Sequence, residues 1–283
     1  MSSLPTDIGV IIVGDEILSG KRQDKHLAKV IELLRARGLA LSWARYVGDD
    51  RPRITEALQD AFASGNLVFS CGGIGATPDD HTRQCAAAAA GLDLVLHPQA
   101  KALILERMRD VAAEQGQPFD PERPDNLHRL NMGVFPEGAQ IIPNPYNKIA
   151  GFSLGHVHFV PGFPVMAWPM IEWVLDSHYA GYAGYADDVA CADDAALHRR
   201  VRPVELSVIV YGAMEAALTP LMEDIEARFD GIKVFSLPSV DHPVHGRHIE
   251  LGVKGRGNPA EAYAALRAGL LAAGAQLGPE LVR

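Results

Sequence analysis

The residues from Leu67 to Ala90, LVFSCGGIGATPDDHTRQCAAAAA, constrain the fold more than any other stretch of the chain. The apolar run Leu67–Ser70 is typical of a strand that is buried on both faces. The glycines and the proline that follow favour a loop. The alanine run predicts a helix from Arg83 to Gly91 that packs close to its neighbours. A buried strand that leads through a loop into a helix is typical of a βαβ unit, so the stretch predicts a parallel sheet.

The first 177 residues repeat this alternation of strands and helices. Further strands are predicted at Ile8–Val13, Leu39–Val47, Gln140–Ile142 and His156–Val160. Further helices are predicted at Asp24–Arg37, after Pro52, and at Gln99–Gln115, Pro124–Met132 and Val165–Ser177. The alternation predicts a three-layer α/β domain over residues 1–177, with a mostly parallel sheet between two layers of helices. Ligands of such domains bind beyond the carboxyl ends of the strands.

The composition changes between His178 and Pro203, where alanine, glycine and aspartate are frequent and no period is visible. We interpret residues 178–203 as a linker. Beyond it, strands are predicted at Val204–Tyr211, Ile232–Phe235 and Arg247–Val253, and helices at Glu215–Phe229 and Asn258–Ala273. This order predicts a second, smaller α+β domain over residues 204–283.

The charge and the cysteine content narrow the functional classes. The 283 residues carry a net charge of -9 with a pI of about 5.6, so we expect no general attraction to nucleic acid or to anionic membranes. Cys71, Cys85 and Cys191 form no CxxC pair, which favours a reducing compartment without disulfides or a zinc cage. The apolar run near the N-terminus ends at Gly14 and follows no basic segment, so we expect a cytoplasmic protein without a membrane anchor.

The loop after Leu67–Ser70 combines several glycines with two adjacent carboxylates, Asp79 and Asp80. Glycines let backbone N–H groups approach a phosphate closely, and the N-terminus of the following helix adds partial positive charge. The aspartates would repel that phosphate unless they hold a cation such as Mg²⁺ beside it. In the alternative interpretation, Asp79 or Asp80 only caps the helix. The sequence pattern alone favours neither interpretation.

A second pair of carboxylates follows the first predicted strand, in the segment Gly14-Asp15-Glu16. Because the carboxyl ends of parallel strands meet at one edge of a sheet, both acidic pairs are expected at the same edge. Asp24 lies at the start of the next predicted helix, where capping is the alternative to ligand binding.

A third polar loop runs from Pro143 to Phe152 and holds Asn144, Asn147 and Gly151. These residue types suit the wall of a pocket for a polar ligand. Taken alone, they are equally typical of ordinary turns.

Four motifs occur in a fixed order along the first part of the chain. They are GDEILSG at 14–20, GGIGATPDDHT at 72–82, PNP followed by AGF within 143–152, and VPGFP at 160–164. By these motifs the chain resembles the MoaB/Mog molybdopterin-binding domain family, and in particular the N-terminal domain of its CinA (competence/damage-inducible) branch. The resemblance covers roughly the first 175 residues.

The resemblance implies that the glycine loop and its acidic neighbours surround a divalent metal and the terminal phosphate of a pterin or nucleotide. It points to ligand binding by Gly14, Gly72, Gly73, Gly75, Thr77 and Thr82, beside the loop residues Asn144, Asn147 and Gly151. It points to metal binding by Asp15, Glu16, Asp24, Asp79 and Asp80, of which Asp79 and Asp80 are also the expected catalytic residues. Two departures concern the organic half of the ligand: Ala76 replaces the usual proline, and Asn147–Ala150 replaces a Gly-Thr-Ala-Pro-like segment.

The resemblance to CinA proteins implies an ADP-ribose pyrophosphatase that uses Mg²⁺, or Mn²⁺ or Co²⁺, to cleave a phosphoanhydride. One alternative is a non-catalytic module that binds molybdopterin or a related phosphorylated heterocycle. The other is an interaction protein with a vestigial pocket. Relatives assemble as dimers or trimers, so the resemblance implies a homo-oligomer. The amidase domain of longer CinA proteins has no counterpart in this sequence, so we expect no nicotinamide-nucleotide amidase activity.

The last predicted domain resembles the small KH-like domain that follows this module in CinA proteins. It mixes acidic with basic residues and lacks a GxxG loop, so we expect no binding to nucleic acid. Its segment DHPVHGRH holds His242, His245 and His248. Their spacing permits a metal site, but the proline and glycine among them favour an exposed turn.

Overall fold

The structure, a computed structural model, describes residues 7–180, 204–255 and 258–282. The chain divides into two compact units, residues 1–183 and residues 184–283. Most of the predicted linker, together with Cys191, lies outside the described residues. No helix within the described ranges is long and apolar enough to cross a membrane.

The first unit contains a six-stranded sheet and a separate pair of short strands. Its strands are β1 (Ile8–Val13), β2 (Trp43–Val47), β3 (Leu67–Cys71), β4 (Leu94–Leu96), β5 (Val134–Pro136), β6 (Gln140–Ile142), β7 (Gly151–Leu154) and β8 (Val157–Val160). The order in the large sheet is β2-β1-β3-β8-β7-β6, and β4 pairs with β5. Strands β1, β2, β3 and β8 run parallel, whereas β7 is antiparallel to β8 and to β6. The carboxyl ends of β1, β2, β3, β6 and β8 therefore lie at the same edge.

Helices cover both faces of this sheet. They are α1 (Asp15–Leu18), α2 (His26–Ala36), α3 (Arg51–Ser64), α4 (Thr82–Ala90), α5 (Pro98–Glu114), α6 (Pro124–Leu130), which a 3₁₀ turn at Asn131–Gly133 follows, and α7 (Pro164–His178). Val10 and Ile12 pack in one core with residues of α2 and α7, whereas Ile11 packs in another with residues of α3 and α4. All residues of β1 are buried, as expected for a strand between two layers. The predicted three-layer α/β fold is confirmed.

Short strands account for most differences from the sequence prediction in the first unit. The sequence predicts no strand at β4, β5 or β7, each of which has only three or four residues. These strands depend on partners elsewhere in the chain: Leu94 pairs with Pro136, and Gly151 pairs with Ile142. Local periodicity carries no information about such pairing. The strand predicted from Leu39 begins only at Trp43.

The second unit is an antiparallel sheet with two helices. Its elements are β9 (Val204–Tyr211), α8 (Glu215–Arg228), β10 (Ile232–His242), β11 (Gly246–Gly255), α9 (Pro259–Ala272) and β12 (Gln276–Val282). The strand order is β10-β11-β9-β12, and each neighbouring pair is antiparallel. Val208 and Leu251 of the sheet share a core with Ile225 of α8 and Leu266 of α9. The sequence predicts β10 and β11 shorter than they are and misses β12.

Candidate functional site

A pocket of about 600 Å³ lies at the edge where the parallel strands of the first unit end. Each of these strands contributes the segment that follows it: Asp49 after β2, Gly14 and Glu16 after β1, residues 72–77 and 79–80 after β3, and residues 161–163 after β8. The loop between β6 and β7 adds further lining residues. The topology therefore brings together segments that are far apart in sequence, at the edge where ligands of such sheets bind.

The glycine loop passes through a narrow space between its neighbours. Gly72 has φ 109° and Gly73 has φ 70°, backbone conformations that residues with a Cβ rarely adopt. A Cβ at Gly72 would collide with the carbonyl oxygen of Val13, and one at Gly73 with the hydroxyl of Thr82. Glycine is required at both positions, which explains the first two glycines of the motif.

Three carbonyl groups of the loop accept hydrogen bonds from Thr82 and Arg83, the buried first two residues of α4. The Thr82 hydroxyl donates to the Gly72 carbonyl at 3.0 Å, and the Thr82 amide donates to the Gly73 carbonyl at 2.9 Å. The Arg83 guanidinium donates to the Gly75 carbonyl at 2.5 Å. Arg83 is almost fully buried, and this burial lowers the pKa of its guanidinium. Thr82, predicted as a ligand residue, instead holds the loop in place and does not line the pocket.

Four consecutive backbone N–H groups of the loop are free of partners among the described residues. The Gly72 amide donates to the Val160 carbonyl at 3.0 Å, and the Thr77 amide donates to Asp80. The amides between them, in residues 73–76, make no hydrogen bond in the part of the chain that the structure describes. A run of unpaired amides in a glycine-rich turn is a typical anion-binding feature.

Neither aspartate of the loop caps helix α4. Asp80 accepts hydrogen bonds from the Thr77 amide at 2.9 Å and from the Thr77 hydroxyl at 2.6 Å, which closes a tight turn before the helix. The residue at the cap position is His81, whose side chain makes no capping bond. Asp79 is exposed in the pocket, and its position beside Thr77 and its own backbone amide lowers the pKa of its carboxyl. The structure thus contradicts the capping interpretation of this acidic pair, and both aspartates line the pocket.

The carboxylates after β1 and β2 form a second acidic group. The Asp15 amide donates to the Asp49 carboxylate at 2.8 Å, and the Asp49 amide donates to the Asp15 carboxylate at 3.1 Å. Glu16 and Asp49 line the pocket, whereas Asp15 does not. Desolvation raises the pKa of Asp49, and the charges of Asp15, Glu16 and Asp79 add to this effect. The pocket therefore confines several negative charges.

Asp49 is a pocket residue that the sequence prediction misses. The signal that could have found it is the segment VGDD after β2, which repeats the acidic pattern of VGDE after β1. Asp50 caps α3 by accepting from the Arg53 amide at 3.0 Å, so Asp49 is the carboxylate left for the pocket.

Asp24 is a capping residue in this structure. Its carboxylate accepts from the His26 amide at 2.8 Å and from the Leu27 amide at 3.1 Å, in the first turn of α2. It also accepts from the Tyr46 hydroxyl at 2.8 Å. Asp24 does not line the pocket, so the capping alternative accounts for it.

The polar groups of the loop between β6 and β7 bind mainly one another. The Asn144 side-chain amide donates to the Asn147 side chain at 2.8 Å and to the Ile149 carbonyl at 2.9 Å. Lys148, at φ 65°, pairs with Glu106 and Asp110 of α5, both at 2.6 Å. Asn144 and Asn147 line the pocket, and their hydrogen bonds shape its wall.

Gly151 has a packing role at the start of β7. It is buried, and a Cβ there would collide with the Phe159 carbonyl of the neighbouring strand. It does not line the pocket. Phe163 and Arg22 do line it, and the Arg22 guanidinium lies 5.9 Å from the centre of the Phe163 ring.

No group of three or more acidic, histidine or cysteine side chains in the described ranges has the geometry of a metal site. The histidines of the second unit therefore form no such group, and neither do the expected ligands of the first unit, Asp15, Glu16, Asp24, Asp79 and Asp80. His242 accepts through Nδ1 from the Val244 and His245 amides, at 3.3 and 3.1 Å, in a turn between β10 and β11. The turn interpretation of that histidine segment therefore accounts for it.

Comparison with known proteins identifies the family of the first unit. Residues 9–179, more than half of the chain, match the family described as "Probable molybdopterin binding domain". The chain belongs to this family. The matched range contains the whole pocket, including the glycine loop and the segments after β1, β2 and β8.

Individual relatives place the chain in the CinA branch. A CinA-like protein of Syntrophotalea carbinolica is 32% identical over 162 residues, which are 56% of this chain and 37% of that protein. This chain thus spans well under half the length of that relative. A protein of Pyrobaculum calidifontis is 28% identical over 267 residues, 92% of each chain, so this match includes both units. The crystal structure of the protein CinA from Thermoplasma acidophilum covers 61% of this chain and 97% of its own, with 28% identity and a TM-score of 0.51.

These findings confirm the predicted MoaB/Mog-type fold and the CinA branch. The expected likeness of the second unit to KH-like domains stays a prediction, as does the homo-oligomer.

Proposed function

We propose that the first unit binds a phosphorylated heterocycle and hydrolyses a phosphoanhydride bond in it with the help of a divalent metal, with ADP-ribose as the substrate. One observation carries the proposal. Four unpaired backbone amides, in residues 73–76, share a pocket with four carboxylates, those of Glu16, Asp49, Asp79 and Asp80. Amides suit a phosphate and carboxylates suit a cation, and a phosphate with its cation would occupy both.

The carboxylates of this pocket fit Mg²⁺ better than a metal that needs a complete protein cage. Mg²⁺ keeps several waters and is usually held by one or two carboxylates together with the phosphates of a substrate. Asp79 is the best placed ligand, because it is exposed and the pKa of its carboxyl is lowered, and Glu16 or Asp49 would supply a second oxygen. When bound, such an ion neutralises phosphate charge and polarises the phosphoryl group.

Residues of this chain would bind the phosphate, position Asp79 and accept a proton from the attacking water. The amides of residues 73–76 would bind the phosphate that stays fixed during the reaction. Asp80 acts through Thr77 by closing the turn that presents Asp79, because both of its observed hydrogen bonds go to Thr77. If Glu16 supplies the second metal oxygen, the raised pKa of Asp49 makes its carboxylate a better acceptor for a proton from the attacking water.

A binding module without catalysis is the second candidate. The family description names molybdopterin, and the segment Asn147–Ala150, which departs from the expected pattern, contributes Asn147, Ile149 and Ala150 to the pocket wall. A different wall favours a different heterocycle while the phosphate end stays the same. This candidate predicts tight binding of a phosphorylated pterin and no product.

The test is incubation of the full chain with ADP-ribose, with and without Mg²⁺, Mn²⁺ or Co²⁺, and measurement of AMP by chromatography. The proposal expects AMP and ribose 5-phosphate in equal amounts, and only with a metal present. Absence of product under all conditions, together with tight binding of a phosphorylated pterin, would leave the binding module as the function.

A further inference from the structure

We propose that Phe163 and Arg22 form a stacking platform that recognises the planar heterocyclic ring of the ligand. This inference rests on the proposed binding of a phosphorylated heterocycle, but it does not require that the ligand be cleaved. Both residues line the pocket, and the Arg22 guanidinium lies 5.9 Å from the centre of the Phe163 ring. Phe163 follows β8 and Arg22 follows β1, with β3 between these strands in the sheet.

The backbone around Phe163 is fixed on both sides by hydrogen bonds, although the residue is 54% exposed. The preceding Gly162 carbonyl lies 3.0 Å from Nε2 of the buried His26. The Phe163 carbonyl accepts from the Met166 and Ala167 amides, at 3.0 and 2.9 Å, in the first turn of α7. An aromatic side chain on a fixed backbone, half exposed inside a pocket, can stack on a ligand with little loss of backbone entropy.

The platform follows a turn that lies beside the glycine loop. A Cβ at Gly162 would lie 3.4 Å from the Cα of Gly72, so the turn before Phe163 is next to the start of that loop. Ile149 and Met166 also line the pocket and give it apolar surface. Because Phe163 and residues 73–76 line the same pocket, the proposal places a ring on Phe163 and a phosphate at residues 73–76 in one ligand.

Arg22 gives the platform its charge. It is the single basic side chain among the described residues that line the pocket, where four carboxylates also lie. Its guanidinium forms no ion pair within the described ranges. A planar guanidinium stacks on aromatic rings and also attracts phosphate, so it suits a ligand that carries both groups. Its backbone is fixed too, because the Arg22 amide donates to the Glu16 carbonyl at 2.9 Å.

The test compares two ligands that differ only by the heterocycle, AMP and ribose 5-phosphate, by calorimetric titration of the full chain in the presence of Mg²⁺. Neopterin monophosphate is a third ligand that distinguishes a pterin from an adenine ring. Because stacking on an aromatic side chain contributes roughly five- to hundredfold per ring, the wild type should bind at least one of the two heterocyclic ligands about tenfold or more tightly than ribose 5-phosphate.

The variants are Phe163→Leu, Phe163→Tyr and Arg22→Gln, with Phe119→Leu as the matched control. Phe119 is another ring close to an arginine, with Arg109 at 5.0 Å, but it does not line the pocket. Phe163→Leu should abolish the preference for the heterocycle while ribose 5-phosphate binding stays unchanged. Phe163→Tyr and Phe119→Leu should keep the preference, and Arg22→Gln should weaken the binding of all three ligands.

The outcomes separate this inference from the hydrolase proposal. Equal affinity of the wild type for all three ligands, or failure to bind any of them, overturns the platform. So does an unchanged preference in Phe163→Leu. If the heterocycle preference depends on Phe163 but no AMP is ever released from ADP-ribose, the platform stands and the hydrolase proposal fails. If Phe163→Leu hydrolyses ADP-ribose with wild-type KM, the hydrolase stands and the platform fails.

Discussion

The two sides of the pocket differ in how far their polar groups are hydrogen bonded within the protein. On the side of β1 and β3, the amides of residues 73–76 are unpaired, and the charges of Glu16, Asp49 and Asp79 crowd one another. On the side of β6 and β7, Asn144 and Asn147 bind each other and the backbone of their own loop. Unsatisfied donors and crowded charges cost stability, and the proposed phosphate and its cation would satisfy both. Under the proposed function, the first side would bind the phosphate and carry the reaction, and the second side would shape the wall.

The largest effect should follow from removing the exposed charge on the reactive side. Asp79→Asn should lower the rate of AMP release from ADP-ribose by about a hundredfold or more, because the proposed metal needs an ionised carboxylate at this position. Asp176→Asn is the control, since Asp176 pairs with Arg37 on the surface and does not line the pocket. Wild-type turnover by Asp79→Asn would remove this residue from the site.

The next effect concerns the shape of the glycine loop. Gly73→Ala forces a side chain into φ 70° and against Thr82, so it should lower the unfolding free energy by about 2 kcal/mol or more and weaken ligand binding. Gly155→Ala is matched for strain, with φ 58° but open space around its Cβ, and should cost about 1–2 kcal/mol without affecting binding. Denaturant unfolding and titration with AMP measure both quantities. Equal effects of the two variants on binding would contradict the role of the loop.

A structural effect is expected on the opposite side. Asn144→Ala removes the bonds of a buried side chain to Asn147 and to the Ile149 carbonyl, and leaves that carbonyl without this donor. The cost should be about 1–3 kcal/mol of unfolding free energy. Because the loop shapes the wall, the KM for ADP-ribose should rise while kcat changes little. A loss confined to kcat would show that Asn144 belongs to the reactive side instead.

The smallest effect is a gain of stability from relieving the crowded charges. Asp49→Asn should raise the unfolding free energy at neutral pH by less than about 1 kcal/mol, because solvent screens this half-buried group. The folded state raises the pKa of Asp49, so its charged form destabilises the fold above that pKa. As the pH falls through the raised pKa, wild-type Asp49 takes up a proton and the difference from the variant should disappear. Thermal unfolding of both proteins between pH 7 and pH 4 measures this difference, and a gap that widens on acidification would contradict it.

The sequence predicts the parts of the site that lie within one strand and its following loop. The glycines after β3 and the acidic pairs after β1 and β3 can be predicted because a buried apolar run, a loop and a helix are adjacent in the chain. The buried Thr82 and the capping Asp24 show the limit of that approach. Their motif positions suggest a ligand, but their hydrogen bonds go to Gly72 and to the start of α2.

The parts that sequence reasoning misses depend on contacts between distant elements. Asp49 reaches the pocket because β2 pairs in register with β1, with Val47 opposite Val13. Phe163 meets Arg22 because β8 pairs with β3, which pairs with β1. No periodicity in a single segment encodes such pairing. For the same reason the short strands β4, β5 and β7 cannot be predicted from the local sequence.

The proposed metal–phosphate site is tested most directly by measuring whether the binding of a phosphate ligand depends on a divalent metal. The affinity of the full chain for an ADP-ribose analogue with a methylene bridge in place of the anhydride oxygen can be measured by calorimetry, in Mg²⁺ and in EDTA, without hydrolysis. If the carboxylates and the glycine loop form one metal–phosphate site, the analogue should bind at least about tenfold more tightly with Mg²⁺, and Asp79→Asn should remove the difference. Equal affinity in Mg²⁺ and EDTA would contradict the claim that the carboxylates and the glycine loop form one metal–phosphate site.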